Sequence, residues 1–495
     1  MRLSFPLRMT FNSSRSYNDA VAALNSLQSN YANIMAIRAS GDRKNMMNIW
    51  EMQEWSRRIG YSTSDYNSLN IIHITGTKGK GSTAAFTQGI LQQFQNDIKK
   101  IGLYTSPHLK SVRERIRING DPISEEKFSK YFFEVWDKLD ATTSSEEKFP
   151  HMVPGSKPGY FKYLTLLSFH VFMQEGCNTC IYEVGVGGEF DSTNIIEKPT
   201  ACGVALLGID HTFMLGDTIE EIAWNKGGIF KPGTPAFTIA NQPEAGLRVL
   251  KERAQERHTT LTEVPHFEQL KDVKLGIAGE FQIANASLAV ALAQQHLHQL
   301  NILQQPVNAN VGAVIPDSFK KGLSLTRWDG RCQTVHDGEI TWYIDGAHTK
   351  ESIEAASGWF KAEVSSSTHK KILLFNQQTR NAEALINSLY DVLNTGVTFD
   401  RVIFSTNVTW KSGTYSADLV SLNTSKEQVD KLEVQKALKN VWKNLDAKAN
   451  VDVVASIESA CDLIKAYDEP VDVFVTGSLH LVGGLLVVFD GKNEE

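Results

Sequence analysis

The chain has 495 residues and a net charge of −6, with 42% hydrophobic and 21% charged residues. This length exceeds one ordinary hydrophobic core, so a soluble globular protein of two domains is expected. The acidic balance argues against a general nucleic-acid binder, because such proteins gain affinity by neutralising phosphates. No apolar run approaches the roughly 20 residues needed to cross a bilayer, which excludes a transmembrane segment.

The first 16 residues resemble a mitochondrial targeting segment in composition. They contain three arginines and several serines, and no acidic residue precedes Asp19. A ragged N-terminus would have a similar composition, and Met9 could start a cytosolic form. We therefore expect a cytoplasmic protein, a mitochondrial protein, or both. The five cysteines indicate a reduced intracellular chain, and the single CxxC (Cys177, Cys180) lacks a second pair to complete a zinc site.

Helices are predicted over residues 17–31 and 44–59, and a short apolar strand over 71–74. A glycine-rich run, residues 74–83, follows that strand and leads into a helical pattern. Strand, glycine-rich turn and helix together predict a phosphate-binding loop, with Lys80 reaching the β- and γ-phosphates. The run departs from the strict P-loop pattern, because Ile74 replaces a glycine and Gly81 separates Lys80 from Ser82. The alternative is a surface loop with two lysines.

Polar residues follow four apolar strand patterns in the N-terminal half. Thr75, Ser106, Glu183 and His211 each come shortly after such a run. Apolar strands separated by helices predict a parallel sheet covered on both faces, and ligands bind beyond the carboxyl ends of such strands. We therefore expect these four side chains to meet at one edge, beside the phosphate loop.

A second, smaller α/β domain is predicted after a polar segment near residues 304–321. Strand patterns restart at 341–344, 372–375, 402–405 and 473–476, with helical patterns between them. The prediction is therefore an N-terminal domain over residues 17–321 and a C-terminal domain over 322–495. A polar loop is expected over 141–158 and an apolar helix over 161–172.

The ordered set of motifs resembles the folylpolyglutamate synthase family of Mur-ligase-like ATP-dependent amide ligases, in its eukaryotic type. The matching segments are residues 73–82, 105–109, 112–117, 183–188, 191–194, 207–211, 224–229, 345–349 and 476–480. The resemblance implies an N-terminal P-loop parallel-sheet ATPase domain that binds ATP and folate. It also implies a smaller Rossmann-like domain on the glutamate side.

The resemblance also implies a reaction. ATP phosphorylates the γ-carboxylate of a reduced folate or folylpolyglutamate, and the amine of L-glutamate attacks the acyl phosphate. The products are a γ-amide, ADP and phosphate, and the activity retains folates for one-carbon metabolism. Positioning and charge neutralisation are what such phosphoryl transfer needs. The implied cofactors are Mg²⁺ and a monovalent cation such as K⁺, with ATP as a substrate, and we expect a monomer.

Family functions map onto named positions of this chain. Implied catalytic residues are Lys80, Lys226 (the position of a carbamylated lysine in the family) and His348. Implied ATP contacts are Thr77, Lys78, Gly79, Lys80, Gly81, Ser82, Arg331 and Asp345. Implied magnesium ligands are Ser106, Glu183 and His211. Implied folate contacts are Thr105, Pro107, His108, Arg113 and Arg115.

Several of these assignments have structural alternatives. The three metal candidates would singly be explained as a serine cap, a core ion pair and a core histidine. Lys226 could be an unmodified lysine in an ion pair. Arg113, Arg115 and Arg117 alternate at the period of a strand, so they would share one face that attracts the polyglutamate tail or is merely solvated. Asp329 stands where the family has proline. Phe281 stands where the family has histidine, so the approach of the next residue, Gln282, to the nucleotide is less secure.

Rival functions remain within and outside this family. Dihydrofolate synthase uses the same scaffold with dihydropteroate, and a Mur-type peptide ligase would use a UDP-sugar acceptor. A P-loop regulatory NTPase would hydrolyse ATP without requiring glutamate, and a non-catalytic binding protein would do no chemistry.

Overall fold

A computed structural model describes residues 15–28, 46–378, 381–414 and 431–491. In this part of the chain, two mainly parallel β-sheets are each covered by helices, so the predicted α/β architecture is confirmed. The targeting segment is outside the described residues except for Arg15 and Ser16. The boundary between residues 321 and 322 stays a prediction.

The first sheet has eight strands in the order β4-β3-β2-β5-β1-β6-β7-β8. The six strands at positions three to eight of this order, β2-β5-β1-β6-β7-β8, all pair in parallel. Strand β3 pairs antiparallel with both β2 and β4. The strands are β1 (Ile71–Thr75), β2 (Ile101–Tyr104), β3 (Ile116–Ile118), β4 (Asp121–Pro122), β5 (Thr179–Glu183), β6 (Ala201–Val204), β7 (Ala236–Ile239) and β8 (Leu261–Val264). Because β2, β5, β1 and β6 are adjacent and parallel, their carboxyl ends share one edge.

Helices cover both faces of this sheet. They are α1 (Tyr17–Asn25), α2 (Met46–Arg58), α3 (Lys80–Leu91), α4 (Glu125–Ala141), α5 (Tyr160–Glu175), α6 (Thr212–Leu215), α7 (Ile219–Gly227), α8 (Glu244–Glu256), α9 (Gln282–Gln299) and α10 (Asp317–Leu325). All five residues of β1 are buried, as expected for a strand between two helical layers. The predicted helix over 17–31 ends at Asn25, and residues 29–45 are outside the described part. The expected loop after α4 and the apolar helix α5 are confirmed.

The second sheet has six strands in the order β13-β12-β11-β14-β10-β9, and only the β9–β10 pair is antiparallel. Its strands are β9 (Gln333–Asp337), β10 (Ile340–Ile344), β11 (Lys370–Phe375), β12 (Arg401–Ser405), β13 (Asn450–Val454) and β14 (Val471–Thr476). Its described helices are α11 (Lys350–Glu363), α12 (Ala382–Leu393), α13 (Glu433–Leu445), α14 (Ile457–Lys465) and α15 (Leu479–Phe489).

An apolar contact joins the two halves of the chain. Leu109, from the loop after β2, is buried in a hydrophobic cluster made otherwise of residues beyond 339. Glycines allow this approach: a Cβ at Gly483 would lie 2.1 Å from the carbonyl oxygen of Leu109, and one at Gly330 would lie 3.0 Å from its side chain. Lys110 adds an ion pair to Asp490 at 3.0 Å.

The arginine-rich segment does not form the strand that its alternation predicts. Residues Val112–Arg115 form a 3₁₀ turn, and β3 begins only at Ile116, so Arg113 and Arg115 do not share a strand face with Arg117. The reason is local capping: Glu114 accepts hydrogen bonds from the backbone N–H groups of residues 109, 110 and 111. This turn directs each arginine to a different neighbour.

None of the described helices combines the length and the apolarity that a membrane-spanning helix requires.

Replacing His296 should change how stability depends on pH. Its buried ring bonds to the hydroxyls of Thr179 and Thr200 at 3.0 and 2.7 Å, and burial lowers its pKa to about 3. Below pH ~6.5 the unfolded chain therefore binds one more proton at this residue than the folded chain does. As the pH falls below that value, this group alone lowers the free energy of unfolding by about 1.4 kcal/mol per pH unit.

We expect His296→Gln to remove that contribution, so its urea-unfolding free energy should depend less on pH between 6.5 and 4.5 than the wild type's. Parallel pH dependences for the two proteins would contradict the prediction.

Candidate active site

The phosphate loop connects β1 to α3 and leaves the start of that helix open. Gly79, the residue before α3, has a left-handed φ of 83° and supplies no side-chain cap. The first hydrogen bond of the helix runs from the N–H of Thr83 to the carbonyl oxygen of Gly79. The N–H groups at the start of a helix have no partner within it, and together with the helix dipole they form an anion site.

Thr77 and Lys78 are engaged by the loop that follows β6. Their backbone N–H groups donate to the carbonyl of Leu206 at 2.8 and 3.1 Å, and the Thr77 hydroxyl bonds to Gly208. The Lys78 ammonium lies 3.5 Å from Asp210. The assignment of these two residues to the ATP phosphates stays a prediction, and in this structure their backbone N–H groups fasten the phosphate loop to its neighbour. The anion site therefore begins at Gly79.

Two lysines converge on one backbone oxygen. Lys80 Nζ lies 3.0 Å and Lys226 Nζ 2.9 Å from the carbonyl oxygen of Gly76, so the two amines are at most 5.9 Å apart, the sum of those distances. Burial, reinforced by the charge of Lys80, holds the pKa of Lys226 well below its usual value. Desolvation and like-charge repulsion both favour the neutral form of this amine.

Glu183 and Ser106 are brought together, as the strand ends predicted. The N–H of Ser106 donates to the Glu183 carboxylate at 3.0 Å. Burial raises the pKa of Glu183, while Lys80, this N–H, Arg331 and Arg115 oppose the rise. A Cβ at Gly81 would lie 3.8 Å from both Glu183 carboxylate oxygens, so the carboxylate borders the start of α3.

His211 is placed differently from the expectation. Strand β6 ends at Val204, and His211 is an exposed residue with φ 53° at the start of the short helix α6. Within the described residues, no three His, Cys, Asp or Glu side chains form a metal-binding group. The joint role of His211, Ser106 and Glu183 as metal ligands stays a prediction.

Amide side chains from α9 brace the phosphate loop. Gln282 donates to the Ser82 hydroxyl at 3.3 Å and accepts from Asn285 at 2.8 Å. A Cβ at Gly79 would lie only 2.1 Å from Asn285 Oδ1. Asn285 is not among the predicted site residues, although its spacing of three residues from Gln282 places both on one helix face.

The C-terminal half contributes Arg331 and Asp345 to the same cleft. The Asp345 carboxylate accepts the N–H groups of Cys332 and Ala347, both at 2.8 Å. Burial raises the pKa of Asp345, and Arg331 opposes that rise. The positive charge of Arg331 also opposes the raised pKa of Glu183, so it is felt by a carboxylate of each half. His348 lies beyond β10, with Nδ1 2.8 Å from the carbonyl of Gly346.

The predicted folate residues separate into two places. His108 accepts a hydrogen bond from Arg115 at 2.9 Å, and the N–H of Thr105 donates to the carbonyl of Arg115 at 3.1 Å. Pro107 lies between Ser106 and His108 in the chain, and its peptide bond with Ser106 is cis. Arg113 instead donates to the carbonyl of Ile123 and lies over the Tyr17 ring, so it faces α1 and not this group.

The sequence is close to that of known ligases. It is 69% identical over 492 residues to the folylpolyglutamate synthase of Saccharomyces cerevisiae strain S288c, which covers 99% of this chain and 89% of that protein. The same values hold for the protein of strain FostersO. The chain belongs to the folylpolyglutamate synthase family. The model of the dihydrofolate synthetase C-terminal domain matches residues 329–488.

Solved structures show that the fold is the one found in this family. A Mycobacterium tuberculosis folylpolyglutamate synthase complexed with ADP is 20% identical with a TM-score of 0.68, covering 96% of this chain and all of that one. Escherichia coli FolC in complex with DHPP and ADP is 20% identical with a TM-score of 0.66, covering 97% and 98%. The sequence-based assignment to a folylpolyglutamate synthase ligase, with its two-domain Mur-ligase-like fold, is therefore confirmed.

Gly79→Ala should weaken nucleotide binding about tenfold or more without unfolding the protein. The new Cβ would meet Asn285 Oδ1 at 2.1 Å in a left-handed backbone, which costs roughly 1–2 kcal/mol before the clash is counted. Titration calorimetry with a non-hydrolysable ATP analogue measures the change.

Gly208→Ala is the matched control, because a Cβ there meets nothing closer than 3.7 Å. Nucleotide affinity of Gly79→Ala within twofold of the wild type would refute the assignment of this loop.

Proposed function

We propose that this chain uses ATP to join the amine of L-glutamate to the γ-carboxylate of a reduced folate or folylpolyglutamate. The observation that carries the proposal is the open start of α3, with Lys80 on the phosphate loop and the buried Glu183 carboxylate 3.8 Å from a Cβ at Gly81. The close relatives named folylpolyglutamate synthase support the choice of substrates.

Lys80 and the N–H groups from Gly79 onward hold the ATP phosphates in this proposal. Their positive charge and dipoles lie where negative charge must be bound. Arg331 stabilises the charge that develops on the transferred phosphoryl group, and Asp345 holds the backbone of the neighbouring Cys332 through the Cys332 N–H. The glutamate amine then attacks the acyl phosphate, and phosphate leaves.

Magnesium fits the donor set at the sheet edge. The buried Glu183 carboxylate beside Ser106, with the Ser82 hydroxyl at the start of α3, offers the oxygen ligands that this hard cation prefers. When bound, Mg²⁺ would neutralise charge on the ATP phosphates. His211 stays a predicted ligand that its exposed position does not support, and K⁺ stays a prediction.

Lys226 has the properties required for carbamylation. Carbon dioxide adds to a neutral amine, and burial together with Lys80 favours the neutral form of Lys226. The resulting carbamate would add an anionic oxygen donor beside the phosphate loop.

The organic substrates are assigned to the two sides of the cleft. Thr105, Pro107, His108 and Arg115 are the proposed folate contacts, and the structure gives no support for Arg113 among them. His348 stays the proposed residue on the glutamate side. Monomeric state and distribution between cytosol and mitochondrion also stay predictions.

The deciding experiment measures products of the purified protein with Mg²⁺-ATP, tetrahydrofolate and L-glutamate by mass spectrometry. Folate species that grow by successive glutamyl units, with ADP release that requires both substrates, are expected. ADP release indifferent to folate and glutamate would instead establish a regulatory NTPase.

Dihydrofolate synthase activity is a second candidate, because the matching domain model carries the name dihydrofolate synthetase. Supplying dihydropteroate in place of tetrahydrofolate tests it directly. Glutamylation of dihydropteroate would establish this second activity.

Arg331→Ala should reduce kcat about a thousandfold while leaving the melting temperature nearly unchanged, since the lost interaction acts on transition-state charge. Steady-state kinetics and thermal unfolding are the measurements. Arg248→Ala, which breaks an exposed 3.7 Å ion pair with Glu220, serves as the control. Near-normal turnover of Arg331→Ala would contradict cooperation of the two domains.

A further inference from the structure

Lys226 depends for its position on the short helix that carries it. Helix α7 has nine residues, and Lys226 lies in its last turn with Nζ directed to the phosphate loop. A displacement of α7 would therefore move this amine away from Gly76 and Lys80.

Glu189, in the loop after β5, contacts the end of α7 on both sides of Lys226. Its N–H donates to the carbonyl of Asn225 at 2.7 Å. A Cβ at Gly228 would lie 2.3 Å from a Glu189 carboxylate oxygen and 2.4 Å from its Cα. Glu189 also follows Glu183 by six residues, so one loop joins the carboxylate at the strand end to the lysine helix.

Two arginines hold the Glu189 carboxylate in place. Arg253 of α8 forms a short ion pair with it, and Arg257 donates to both carboxylate oxygens at 2.7 and 2.8 Å. Glu189 is 9% and Arg253 5% exposed, so the pair is shielded from water. Forked arginine–carboxylate bonds fix direction as well as distance.

Arg253 also contacts α7 directly. Its guanidinium carbon lies 4.5 Å from the centre of the Trp224 ring. A Cβ added at Gly227 would lie 2.8 Å from the Cβ of Arg253. The four residues at positions 224, 225, 227 and 228 are thus all held by Glu189 or Arg253, and Lys226 is the residue between them.

We propose that Glu189, clasped by Arg253 and Arg257, is a positioning residue that sets the location of the Lys226 amine at the phosphate loop. This inference rests on the proposed function only for its kinetic test. The cluster acts through Lys226 and has no contact of its own with the phosphate loop in the described structure.

Glu189→Gln keeps the shape of the side chain and removes its charge. We expect kcat to fall about tenfold to hundredfold, as for a displacement of roughly 1 Å at a reacting centre, while KM for folate changes less than threefold. Reductive methylation of the native protein, read at the Lys226 peptide by mass spectrometry, should be several times faster in the variant because the amine is less securely buried.

Arg257→Gln is the second variant, because Arg257 is more exposed and its loss perturbs folding less. Lys251→Ala is the matched control. It breaks a 2.8 Å ion pair between Glu263 and an exposed lysine of α8, the helix that carries Arg253, and should behave as wild type. Unchanged Lys226 methylation in both Glu189→Gln and Arg257→Gln would overturn the proposal. The methylation can be measured even if the wild type shows no glutamate ligation, so failure of the proposed function is distinguished.

Discussion

The carbonyl oxygen of Gly76 receives hydrogen bonds from two lysine amines, and the organisation of the cleft depends on this shared contact. Two ammonium groups at such a separation repel each other, so the site favours either a neutral Lys226 or a bound anion. Phosphate groups at the start of α3 would relieve the repulsion. This arrangement of two lysine amines therefore favours the binding of an anionic substrate beside the phosphate loop.

The sheet order explains why the reacting groups are close in space although they are distant in sequence. Strands β2, β5, β1 and β6 lie side by side, which places Ser106, Glu183 and the phosphate loop at one edge. The second sheet then adds Arg331 and Asp345 from beyond residue 330. In the proposed reaction, therefore, each half of the chain supplies part of the charge that acts on the transferred phosphoryl group.

Strand periodicity and glycine spacing predicted both sheets, the phosphate loop and the meeting of Ser106 with Glu183. They failed where side chains compete for the backbone: Glu114 caps residues 109–111 and turns the arginine segment away from a strand. Strand β6 also ends three residues before its apolar run does, so the run overstated the length of the strand that leads toward His211. The role of Asn285 depends on packing of α9 against Gly79, which no local pattern encodes.

The burial of Leu109 in the C-terminal cluster has a thermodynamic consequence for the cleft. Separating the two halves would expose this side chain and the apolar residues around Gly330 and Gly483. Exposure of apolar surface raises the heat capacity, so the open arrangement would become relatively more favourable on cooling. Cleft opening would then be a temperature-dependent equilibrium to which the apolar contact of Leu109 contributes.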